Sequence, residues 1–131
     1  MKKLWSRFWK SSSQTRKQRK YKHNAPLHIK HKMMSAGVSR ELRKEHSIRS
    51  IPIKKGDTVK LISGQFKGKN GKVTKVSLAK QSVFIEGADV SRADGSKALY
   101  PVHPSNLTIT KLNLADKKRV EKIERMKTQN K

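Results

Sequence analysis

The sequence has no cysteine, and only nine Asp or Glu stand against 33 Lys or Arg, a formal net charge of +24 over 131 residues. The missing cysteines exclude a disulfide framework and any thiolate metal site. The shortage of acids leaves a self-repelling chain, which an ordinary enzyme domain rarely tolerates without a counter-charge. A polyanion supplies that counter-charge: nucleic acid first, an anionic membrane surface second. Apolar residues make up only 33%, so the buried core is small and leaves some segments out. No run approaches the ~18–20 consecutive apolar residues of a membrane span. Arg7 and Lys10 interrupt the basic, aromatic start Met1 to Lys10, where a signal peptide needs a continuous apolar region. Secretion is not expected.

The charge is uneven. Residues 1–32 hold eleven Lys or Arg and no acid, and Ser11-Ser-Ser13 with Gln14 and Thr15 reads as linker. Residues 1–34 are therefore expected to be a basic extended arm, disordered until it meets a polyanion. Residues 35–50 hold a short helix, Ser39-Arg-Glu-Leu-Arg-Lys-Glu-His46, with Ser39 or Ser35 as N-cap and Glu41 in its first turn. From residue 51 to 112 the apolar period becomes two, as in Thr58-Val-Lys-Leu-Ile62 and Ser82-Val-Phe-Ile-Glu86. Turns are expected at Asn70-Gly71 and Asp94-Gly95. Five short strands in this span imply a mainly β fold, a small bent barrel or sandwich. Residues 113–131 form a helical tail capped by Asn113 or Asp116, with Val120, Ile123 and Met126 as a narrow apolar stripe.

Catalysis finds little support. The strand region offers only Asp57, Glu86, Asp89 and Asp94. Each reads better as a turn former or solvated acid than as part of an acid–base pair. His23, His28 and His31 are close in sequence, but no carboxylate accompanies them, and metal binding is the weaker reading. With Lys22, Lys30 and Lys32 beside them, they are better suited to phosphates or bases. Gly64-Gln-Phe-Lys-Gly-Lys-Asn-Gly-Lys72 lacks P-loop spacing, and no helix follows it. As a hairpin loop it projects Lys67, Lys69 and Lys72 beside Phe66, an arrangement that matches irregular RNA. Phe66 either stacks on a base or tucks under the loop as core.

Lys55-Gly-Asp-Thr-Val-Lys-Leu-Ile-Ser-Gly-Gln-Phe-Lys-Gly-Lys-Asn-Gly-Lys-Val-Thr-Lys-Val76 resembles a KOW motif, found in ribosomal and transcription-elongation proteins with SH3-like barrels. Several flanking segments add to it: His23-Asn-Ala-Pro-Leu-His-Ile-Lys-His-Lys-Met-Met-Ser35, Ser39-Arg-Glu-Leu42, Arg49-Ser-Ile-Pro-Ile53, His103-Pro-Ser-Asn106 and Ile109-Thr-Lys-Leu112. Together they resemble the large-subunit ribosomal protein twenty-four of archaeal and eukaryotic type, whose eukaryotic relative is called twenty-six. Glu86-Gly87, Ala93-Asp-Gly95 and Tyr100-Pro101 look more archaeal.

The resemblance implies an SH3-like barrel with arm and terminal helix, in a non-enzymatic, cytoplasmic constituent of the large subunit. It implies binding to the 5′ domain of the large (23S-type) rRNA early in assembly, near the polypeptide exit tunnel and its neighbouring proteins. It implies no cofactor, metal, small-molecule substrate, membrane or homo-oligomer. RNA contacts carry over to Arg16, Lys17, Arg19, Lys20, Lys22, His23, Lys30, His31 and Lys32 of the arm, and to Phe66, Lys67, Gly68, Lys69 and Lys72 of the loop.

Two other readings compete. A KOW-containing transcription elongation factor would bring a further polymerase-contacting domain, for which no room is expected. A membrane-surface segment could use Trp5, Phe8 and Trp9 beside Lys2, Lys3, Arg7 and Lys10, but it leaves the strand region unexplained.

Overall fold

A computed structural model describes residues 5, 6, 8, 9 and 12–129 of the chain. Lys2, Lys3, Arg7 and Lys10 of the membrane reading lie outside the described residues, as do Asn130 and Lys131 of the tail.

The elements in chain order are helices α1 (Thr15–Asn24) and α2 (Leu27–Met33), strand β1 (Ser35–Val38) and helix α3 (Arg40–His46). Strands β2 (Ser50–Pro52), β3 (Thr58–Leu61), β4 (Asn70–Ser77), β5 (Ser82–Ile85), β6 (Asp89–Ser91) and β7 (Lys97–Leu99) come next. A 3-10 turn, Pro104–Asn106, leads into β8 (Leu107–Lys111), and α4 (Lys117–Gln129) ends the fold. Six strands form one sheet in the order β2-β1-β8-β3-β4-β5, while β6 and β7 pair apart as a hairpin. β1 runs parallel to β8, and the other pairs are antiparallel.

Period-two patterning fills the core as its spacing requires. Val59 and Leu61 of β3, Leu107 and Ile109 of β8, Val83 and Ile85 of β5, and Ala36 and Val38 of β1 are all buried. Register shifts between Thr58 and Val59 and between Val73 and Lys75 bend the sheet. Such bulges increase local twist, and the sheet curls over this core without closing. Its edges are β2 and β5, so the described fold is a mixed helix-and-strand domain around an open sheet. Its sheet-rich core is consistent with the small β-rich domain expected above, but the sheet does not close into a barrel and four helices accompany it.

Within the expected extended arm, Thr15–Asn24 and Leu27–Met33 are helical. Residues 15–24 are rich in Lys, Arg and Gln, all good helix formers, and composition poor in core residues does not forbid a surface helix. Pro26 separates α1 from α2 and serves as the N-cap residue of the latter. α3 starts as expected: Ser39 Oγ accepts the Leu42 amide at 3.4 Å. Asn70-Gly71, by contrast, is not a turn. Both residues lie in β4, where Gly71 pairs with Val59. A Cβ on Gly71 would come within 2.4 Å of the Glu86 carbonyl oxygen and 2.5 Å of Ile85 Cγ2. Glycine is there for close backbone approach, and the turn falls earlier, between Gly64 and Gly68.

Candidate nucleic-acid interface

α1 carries a one-sided array of three cations and a histidine. Arg16, Arg19, Lys20 and His23 follow the i, i+3, i+4, i+7 spacing of one helix face and line a single shallow depression. All four are exposed, as are Lys17 and Lys22 on its flanks. The other side of α1 is covered. Tyr21 packs between Trp5 and Trp9, with ring centroids at 4.9 and 5.9 Å, and its carbonyl accepts the Trp5 indole N–H at 3.1 Å. Gln18 donates from Nε2 to the Ser12 carbonyl at 2.6 Å. These contacts fix which face of α1 meets solvent.

α2 divides its basic residues. Lys32 is exposed, His31 is half-buried, and Lys30 is turned inward with 8% of its surface accessible. Lys30 therefore differs from the surface cations around it. His31 lines a cavity with Ile51, Pro52, Lys54, Lys118, Arg119 and Lys122.

The glycine-punctuated loop joins β3 to β4. Gly64 (φ +91°) and Gly68 (φ +86°) adopt left-handed backbone that glycine permits. The Gly68 amide then reaches the Leu61 carbonyl at 2.9 Å, and the Lys67 amide reaches that of Gly64 at 3.0 Å. Lys67, Gly68 and Lys69 are exposed on the loop, and Lys72 is exposed on β4. Phe66 is half-buried against the core and meets Tyr100 edge-on at 5.4 Å. Lys69 Nζ lies 5.0 Å from the Phe66 ring centroid, within cation–π range. The ring packs partly against the core and fastens the loop to the segment after β7.

Asp57 closes the turn expected there, its amide donating to the Lys54 carbonyl at 3.3 Å, but it is not solvated. It is fully buried, and Arg119 donates to it from Nη1 at 2.6 Å and Nη2 at 2.8 Å. The Lys54 and Asn113 amides, each at 2.9 Å, complete its partners. Asp57 thus ties the start of β3 to α4 and is no free acid or base. Asp116 accepts from the Lys118 amide at 3.0 Å, capping α4, and pairs with Lys54. The Lys54 hydrogen bond is the main reason its carboxyl lies below the usual carboxylate range. Asp94 is also lowered, chiefly by the Ser96 hydroxyl, in the turn where Gly95 takes φ +80°.

Sequence reasoning missed Lys54, Lys118, Arg119 and Lys122. The run Lys117-Lys-Arg119 ahead of the apolar tail stripe was the available signal. Among the described residues, no group of three His, Asp or Glu is placed to hold a metal ion, and no helix is long and apolar enough to cross a membrane. Residues 12–126 match the model of one known family, described as the ribosomal proteins called L26 in eukaryotes and L24 in archaea.

Proposed function

The chain belongs to the family of ribosomal proteins that comprises eukaryotic L26 and archaeal L24, and on that premise we propose how it holds its RNA. It is a non-enzymatic constituent of the cytoplasmic large ribosomal subunit, where it associates with rRNA and other ribosomal proteins. In our reading it binds the 5′ domain of the large-subunit rRNA, joins early in assembly and lies near the polypeptide exit tunnel. The open sheet is read as the family's SH3-like KOW barrel, unclosed between β2 and β5.

The observation that carries this reading is the exposed stripe Arg16, Arg19, Lys20 and His23 on α1, whose opposite side is covered by Trp5 and Trp9. Cations in that array neutralise successive phosphates and release counterions. Lys67 and Lys69, on a loop whose backbone is fixed by its own hydrogen bonds, and Lys72 on β4 supply a second contact. Lys17 and Lys22 flank the first, and His31 and Lys32 follow on α2.

The salt dependence of binding to an rRNA fragment tests the assignment. The combined variant Arg16→Gln, Arg19→Gln, Lys20→Gln is expected to lose about 0.7–0.9 of the log–log salt slope per phosphate released. Neutralising three exposed lysines elsewhere, Lys80, Lys97 and Lys127, should leave the slope nearly unchanged. Equal losses from both variants would make the binding diffuse and remove the stripe as a site.

A further inference from the structure

The cavity beside α4 has an unbalanced set of charges. It encloses about 170 Å³ between α2, β2 and the first turns of α4. On the usual ~30 Å³ per water, that admits one oxyanion and a few waters. Two of its cations are already matched, Arg119 by Asp57 and Lys54 by Asp116. Lys118, Lys122 and His31 have no carboxylate partner among the described residues. Lys118 and Lys122 stand four apart on α4, so they flank the opening together. The Arg119–Asp57 pair, buried at the helix's base, fixes that face in place.

The cavity is also the end of a track. His31 and Lys54 form the wall it shares with a second depression, lined further by Lys55 and Lys75 and by no acid. Lys55 in turn borders a third depression, which reaches Lys72 and contains one acid, Glu86. Three adjoining hollows therefore run from α4, past α2 and over β4, to the foot of the glycine-punctuated loop. One isolated phosphate would need only the first. A chain of phosphates fits all three.

We propose that this track binds the backbone of a single-stranded or irregular RNA segment, with one phosphate seated in the cavity between His31, Lys118 and Lys122. Lys55 and Lys75 then take phosphates farther along, and Lys72 joins the track to the loop. The tail helix becomes part of the RNA surface and not merely a brace for the sheet. The proposal rests on the rRNA reading above for the source of the phosphates.

Two paired variants test it in the full chain: Lys118→Gln with Lys122→Gln, and Lys55→Gln with Lys75→Gln. All four side chains are exposed, and an unchanged urea midpoint will confirm the fold. Each pair is expected to reduce the log–log salt slope for an rRNA fragment by about 0.7–0.9 per phosphate lost. Addition of a short oligoribonucleotide should shift the NMR signals of His31 and Lys118. Wild-type slopes in both variants, with the α1 variant still impaired, would overturn the track and leave the rRNA reading standing. A wild-type protein that does not bind the fragment would remove both. Shifts at His31 produced by inorganic phosphate but not by the oligonucleotide would reduce the cavity to a small-anion site and overturn the proposal.

Discussion

Asp57 and Arg119 are 62 positions apart, yet they are removed from water together. Their side chains are 0% and 3% exposed, joined by two short charge-assisted bonds. Arg119 also donates to the Asn113 and Pro52 carbonyls at 3.0 and 3.3 Å, while its Nε is the one buried side-chain polar atom lacking a partner among the described residues. A buried pair of this kind adds little over a well-packed apolar pair, but losing one member strands the other charge. Arg119→Met is therefore expected to cost about 3–5 kcal/mol in urea unfolding, because Asp57 keeps only its two amide donors. Lys54→Met, which breaks the half-exposed pair with Asp116, should cost clearly less. If the two variants were equally mild, Asp57 would not be the anchor of α4. The Lys54–Asp116 pair also has a defined pH sense. The Asp116 carboxyl is lowered in the folded protein, so its contribution is complete above the unfolded value and is lost as pH falls through the folded one.

Among the elements, α1 has the weakest claim to stand by itself. It is ten residues long, its N-cap residue Gln14 makes no side-chain capping bond, and its first turn has no acid. Isolated helices shorter than ~12–15 residues are marginal in water, and this one also carries five mutually repelling Lys or Arg. What holds it is the aromatic clasp of Trp5 and Trp9 on Tyr21, and both tryptophans precede the family-matched span. Each ring contact is worth about 0.5–1.5 kcal/mol beyond its buried area. The double variant Trp5→Ala, Trp9→Ala is expected to lose helical chemical shifts over residues 15–24 while β3, β4 and β8 stay unchanged. Retention of those shifts would show that α1 needs no clasp. α3 contrasts with it: it has a Ser39 cap, Glu41 in its first turn and Leu42 against the core.

At the scale of the molecule, short-range signals were legible and long-range ones were not. Val59 with Leu61, and Leu107 with Ile109, announced buried strand faces through alternation alone. Ser39 and Asp94-Gly95 announced a cap and a turn through local chemistry. Asn70-Gly71 misled because the same dipeptide serves a turn and a strand that another backbone must approach, and only the Glu86 carbonyl decides between them. β1 was hidden because its alternation is only four residues long and rests on Ala36 and Val38 around Gly37, and its strandness comes from lying between β2 and β8. The arm's cations were legible as a charge excess, but their one-sidedness required α1. The basic track was the least legible part, since its lysines come from the β2–β3 linker, β4 and α4.

We propose that this +24 chain contacts rRNA through α1 and the β3–β4 loop. Cross-linking within purified large subunits, with identification of the linked peptides by mass spectrometry, tests it most directly. rRNA adducts are expected within residues 15–32 and 66–72. Adducts confined to the β6–β7 hairpin and α3, with none in those two stretches, would contradict it.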